Sequence, residues 1–133
     1  MPAFYRAMMR LLMSAFYLVA GVLHLVAPAG FVLIVPNFVP WPEMTVVVTG
    51  VLEIAGAAGL SIKRFRRAAG IGLAAYAICV FPANINHALN AIPVDGLPTG
   101  WWYHGPRLAL QPVLVWWALY CAEVTDWPHH AKR

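Results

Sequence analysis

Glu53, Asn84, His87, Arg107 and Gln111, together with His24, are polar side chains set inside or at the edge of stretches otherwise apolar enough to cross a bilayer. A carboxylate, a guanidinium, two imidazoles and two amides can hold a polar ligand, coordinate a metal or carry a proton. In hydrocarbon an ionisable group costs about 2.5 to 3.5 kcal/mol on insertion scales, so such groups face a protein interior, pair there and mark sites. The residues therefore point to a small polytopic membrane protein with a polar interior.

Composition agrees with that class. The chain has 133 residues, of which 62% are hydrophobic and 11% charged, against about 25% charged in an ordinary soluble domain; its mean hydropathy is +0.69. A soluble chain this apolar would carry large exposed patches, whereas lipid accepts them on every outward face. The length allows one domain, 1–133. A pI near 9.4 is not read as nucleic-acid binding, because the charges sit at the ends of the apolar segments.

The expected fold is all-α, an antiparallel bundle of four transmembrane helices at about 4–27, 44–62, 68–92 and 107–124, each near the roughly 20 residues a span needs. Pro28 ends the first. The run Lys63-Arg64-Phe65-Arg66-Arg67 is a tight basic turn between antiparallel neighbours. Pro93, Gly96, Pro98, Gly100 and Gly105 make the third connection a loop, with Pro106 as the first residue of the last helix, where its missing N–H is harmless.

Arg6, Arg10, Lys63, Arg64, Arg66, Arg67, Lys132 and Arg133 all fall on one side of this arrangement. The positive-inside rule makes that side cytoplasmic and both termini internal, as expected for a bacterial inner membrane. Trp41, Trp101, Trp102 and Tyr103 mark the outer interface, and Tyr5, Tyr120 and Trp127 the inner one. A competing reading takes the first segment as a signal peptide cleaved near Ala27-Pro28-Ala29, but its apolar run is longer than an ordinary h-region and carries His24. Arg107, at the outer end, breaks the charge rule and is expected to have a partner.

The apolar stretch 31–40 is too short and too rich in proline to span, so it either hugs the membrane as a linker or folds back as a lid over the outer end. Below it, His24, Asn84, His87 and Gln111 lie one to two turns down their helices, and Glu53 about 15 Å from the outer end, by the rise per residue. Tyr76, Asn84 and His87 share one face, as do Gly50, Glu53 and Ala57, and Tyr17, Gly21 and His24. Small residues beside polar ones let helices approach closely. Pro82 should release the Ile78 carbonyl, with Asn84 or Asn86 available to satisfy it.

The motifs His24-Leu-Val-Ala-Pro28, Phe31 through Pro40, Gly50-Val-Leu-Glu53-Ile-Ala-Gly56, Phe81-Pro-Ala-Asn84-Ile-Asn-His87 and Arg107-Leu-Ala-Leu-Gln111-Pro112 together resemble the DoxX and DoxX-like group of small four-helix membrane proteins. The resemblance covers nearly the whole chain, in order. Some members of that group are linked to quinone-dependent thiosulfate oxidation or membrane redox complexes, and a related animal branch, NACHO, assists receptor assembly. It thus implies either a quinone ligand in a redox-linked role or a non-catalytic assembly factor.

Cys79 and Cys121 differ in level by roughly 12 Å by the helical rise, beyond the reach of a disulfide, so thiol redox chemistry is not expected. A metal site would use His24, Glu53 and His87, with His104 as a fourth ligand. Acid–base chemistry on a lipid-like substrate would use His87 or Glu53, with Arg107 stabilising an anion. The favoured expectation is a ligand pocket in the outward half, made by His24, Glu53, Tyr76, Asn84, His87, Arg107 and Gln111 with a Glu53–Arg107 pair at its centre. Its partners would be membrane lipid, a small amphipathic ligand and, in the assembly reading, another membrane protein.

Overall fold

A computed structural model describes residues 2–129 of the chain. It contains α1 (Pro2–Val26), α2 (Ala29–Ile34), α3 (Pro42–Ser61), α4 (Arg66–Leu89) and α5 (Trp101–Cys121), and no strand among the described residues. Ala3–Val26, Pro42–Ser61 and Arg66–Leu89 are long and apolar enough to cross a membrane. In α5 the Trp and Tyr residues, His104, Arg107, Gln111 and two prolines lower the hydropathy, and it falls outside that set.

The helix boundaries follow local chemistry. Pro28 lacks an N–H and restricts the residue before it, so α1 stops two residues earlier. Pro42 occupies the first turn of α3, where no donor is needed, and Glu43 sits at the positive end of the same helix. Two expectations are corrected. The stretch taken as a loop opens with a short helix, α2, whose residues Ala29–Ile34 precede the proline at Pro36 that prevents continuation. Pro106 is not the first residue of the last helix: α5 begins at Trp101, after the extended Gly100, and Pro106 lies inside it. The N–H groups of Tyr103 and His104 both bond the Gly100 carbonyl, at 3.0 and 3.2 Å, so the turn is already made before the proline enters.

The four long helices pack in the cyclic order α1–α3–α4–α5, and α2 lies across α3 and α4. Contact is closest where side chains are smallest. A Cβ on Gly21 would stand 2.7 Å from the Gly50 carbonyl oxygen, and one on Gly70 would overlap the Ala122 side chain. The fully buried apolar core, Met13, Leu60, Leu73, Ala77, Ala118 and Cys121, gathers towards one end. The outward faces carry Leu11, Val19, Val51, Ile71 and Ile78, all about half exposed or more.

At that same end the residues after α5 are clasped by arginines. Arg6 binds Asp126 at 2.8 Å, Arg10 binds Glu123 at 2.9 Å and the Cys121 carbonyl, and Arg66 binds Glu123 at 3.2 Å. Arg67 donates to the Glu123 carbonyl. Lys132, Arg133 and His130 lie outside the described residues.

Candidate functional site: two polar centres on one cavity

The close approach of α1 and α3 at Gly21 and Gly50 brings His24 beside Glu53. Glu53 is only 4% exposed. Its Oε1 accepts a 2.6 Å hydrogen bond from the Tyr76 hydroxyl on α4. Its Oε2 lies 3.0 Å from His24 Nδ1, but that nitrogen also lies 2.7 Å from the Ala20 carbonyl oxygen, which takes the ring hydrogen in the better-aligned direction. Oε2 is consequently a buried acceptor without an aligned donor. The His24 ring stacks on Phe31 of α2, with centroids 3.7 Å apart.

A second centre sits on α4 and α5. Arg107 donates to His87 Nδ1 at 2.9 Å and to Asn84 Oδ1 at 2.5 Å. Because a guanidinium only donates, His87 Nδ1 must accept, and the neutral ring carries its hydrogen on Nε2. Among the described residues that buried Nε2 has no partner, nor do the two ring nitrogens of His104, whose ring packs edge-on 4.7 Å from that of His87. The planar fork is the reason an arginine serves here, since one side chain grips two acceptors on the facing helix.

The Glu53–Arg107 pair does not form. α3 and α5 are opposite each other in the cyclic order, with α1 and α4 between them; neighbouring axes about 9 Å apart place opposite axes roughly 13 Å apart. Glu53 instead accepts from Tyr76 of α4 and lies beside His24 of α1, and Arg107 binds groups of α4. The metal alternative is corrected for the same reason. His24 with Glu53 and His87 with His104 form separate pairs, and among the described residues no three His, Cys, Asp or Glu side chains converge on one point.

Both centres border a cavity of about 1040 Å³. Of the expected site residues, His24, Glu53, Tyr76, Asn84, Arg107 and Gln111 line it. His87 does not: it stands behind Arg107, 1% exposed, and meets the cavity only through that arginine. Phe31, Ile34, Val35, Phe38 and Val39 form part of the wall, so the apolar stretch after Pro28 covers the cavity rather than standing clear of it. Asn86 ties that stretch down, donating 3.0 Å to the Ile34 carbonyl. Asn84 faces Arg107 and the cavity, and Asn86 binds the Ile34 carbonyl, so the amides available to the Ile78 carbonyl that Pro82 frees are used elsewhere.

Tyr17, expected on the same face as His24 but not as a site residue, reaches the wall, and so does Thr49, which was not among the expected residues. Thr49 precedes Glu53 by one turn, a spacing that was available as a signal. Glu123 is a different omission, because an exposed acid after the last helix carries no local mark of the arginines it gathers. Cys79 and Cys121 are both free, the first exposed at the cavity wall and the second buried.

A family model described as "Domain of unknown function (DUF8561)" matches residues 13–122. The chain belongs to this family. The DUF8561 match contains all the residues of both polar centres and excludes Arg6, Arg10, Glu123 and Asp126 of the clasp. No curated protein and no solved structure matches the chain.

Proposed function

We propose that this DUF8561 protein is a bundle of four transmembrane helices, α1, α3, α4 and α5, whose outward-half cavity binds a small amphipathic ligand. α5 is as long as α3 and closes the helix ring, and its aromatic residues suit a lipid interface. In this reading both termini are cytoplasmic and the cavity faces outward across a bacterial inner membrane, which the gathering of Arg6, Arg10, Lys63, Arg64, Arg66 and Arg67 at one end supports through the positive-inside rule. The DoxX-like resemblance makes a quinone the candidate ligand, in a redox-linked role, with the hydroxyls of its reduced quinol form as the groups a carboxylate accepts from.

The single observation that carries this reading is Glu53 Oε2. Glu53 lines a large, mostly apolar cavity and its Oε2 has no aligned donor, which makes the carboxylate complementary to a ligand that brings a hydroxyl or N–H. The surrounding apolar wall suits the ligand's body. An acid–base role is supported by the 3.0 Å approach of Glu53 Oε2 to His24 Nδ1, which sets two titratable groups side by side.

Native mass spectrometry of the gently extracted protein tests the proposal, alongside Glu53→Gln. A co-purifying amphipathic molecule present in the wild type and depleted about tenfold in the folded variant is the expected result. If neither protein retains a molecule and the variant remains folded, the cavity reading fails. The assembly-factor alternative, in which the exposed apolar faces bind a membrane protein, then takes its place.

A further inference from the structure

An apolar groove of about 520 Å³ continues the polar cavity towards the opposite end of the helices. It runs between α3 and α4, a seam packed less extensively than α1 on α3, and small residues such as Gly56, Gly59 and Ala69 line it. Leu52, Gly72 and Tyr76 border both spaces, so the Tyr76–Glu53 hydrogen bond stands where they join. Beside Gly72 the space is open, for a Cβ there would meet no atom within 4 Å. Leu52, at 53% exposure, lies on an outward face, which leaves the junction accessible from the side.

From Thr45 on the cavity wall to Ile62 on the groove wall the chain rises about 25 Å. That is most of the roughly 30 Å hydrocarbon thickness and more than one leaflet's share of it. We infer that the ligand is a lipid with a hydroxyl head and one long linear hydrocarbon chain. The head donates to Glu53 Oε2, and the chain passes Gly72 and Tyr76 to lie in the α3–α4 groove. This assignment rests on the cavity being a ligand site and adds the class of molecule. A phosphate or carboxylate head is disfavoured beside Glu53, because like charges repel strongly out of water. A single furrow between two helices accommodates one chain rather than two.

The test uses the full chain in detergent micelles, with geraniol as a short-chain hydroxyl probe, geranylgeraniol as a long-chain one and dioleoylglycerol as a two-chain one. Retention is read by native mass spectrometry for the wild type, Gly72→Leu and Glu53→Gln, with thermal unfolding as the check on folding. Leucine favours helix over glycine, and a Cβ at Gly72 meets no atom within 4 Å, so Gly72→Leu is the variant chosen to fill the junction, with its unfolding midpoint compared with that of the wild type. Geranylgeraniol retention should fall about tenfold in Gly72→Leu and geraniol retention by distinctly less, because less of its chain enters the groove, and Glu53→Gln should weaken both. If Gly72→Leu leaves geranylgeraniol unaffected, or dioleoylglycerol binds more tightly than geranylgeraniol, the chain assignment is overturned. Glu53-dependent geraniol binding would in that case still uphold the cavity as a ligand site. If neither prenol binds, both readings fall together.

Discussion

Tyr76 donates its hydroxyl hydrogen to Glu53 Oε1 over 2.6 Å, joining α4 to α3 at the level where the polar cavity meets the apolar groove. Tyr76→Phe removes that donor and leaves both oxygens of a buried carboxylate without an aligned partner. The expected loss is about 1–3 kcal/mol, read by denaturant unfolding in detergent. An unchanged midpoint would mean that Glu53 Oε1 has another donor.

The α1–α3 contact sets the position of His24 relative to Glu53. Gly21→Val would push a side chain onto the Gly50 carbonyl oxygen, only 2.7 Å from the Cβ position, and onto Ile54 and Glu53. Overpacking of this kind costs about 1–3 kcal/mol. Gly72→Ala, where a Cβ meets nothing, is the matched control and should be neutral or stabilising by up to about 1 kcal/mol. Equal thermal shifts in the two variants would contradict the close packing.

Arg107→Lys keeps the charge but loses the fork that holds His87 and Asn84 together. One of the two acceptors should then be abandoned, at a cost of about 1–3 kcal/mol in unfolding free energy. A lysine variant as stable as the wild type would show that charge alone suffices there.

The clasp around Glu123 is expected to be weak despite its two side-chain partners, Arg10 and Arg66. Glu123 is about half exposed, and water and salt screen it. Glu123→Gln should cost less than about 1 kcal/mol, and the difference from wild type should shrink further at high ionic strength. A loss that persists in high salt would point to a structural role beyond pairing.

How far the site was legible varies residue by residue. Glu53, His24, Asn84, Arg107 and Gln111 were conspicuous because a polar group in an apolar stretch stands out whatever its neighbours are. Tyr76 followed from sharing a helix face with His87, yet His87 itself turned out to stand behind Arg107 instead of lining the cavity. The start of α5 was misplaced because a glycine- and proline-rich segment reads as loop, while Gly100 and the aromatic run after it already form the first turn.

The helical class, three of the four expected apolar spans and the polar residues set among them are legible in the sequence alone. These depend on composition and on spacing along one helix, which are local properties. Only the tertiary structure decided that Glu53 binds Tyr76 and approaches His24, that Arg107 binds His87 and Asn84, and that a groove extends the cavity past Gly72. Such partnerships depend on which helices are neighbours and how closely they approach. Depth and face along each helix separately leave the opposite pair Glu53–Arg107 as plausible as the adjacent ones, until the cyclic order of the helices separates them.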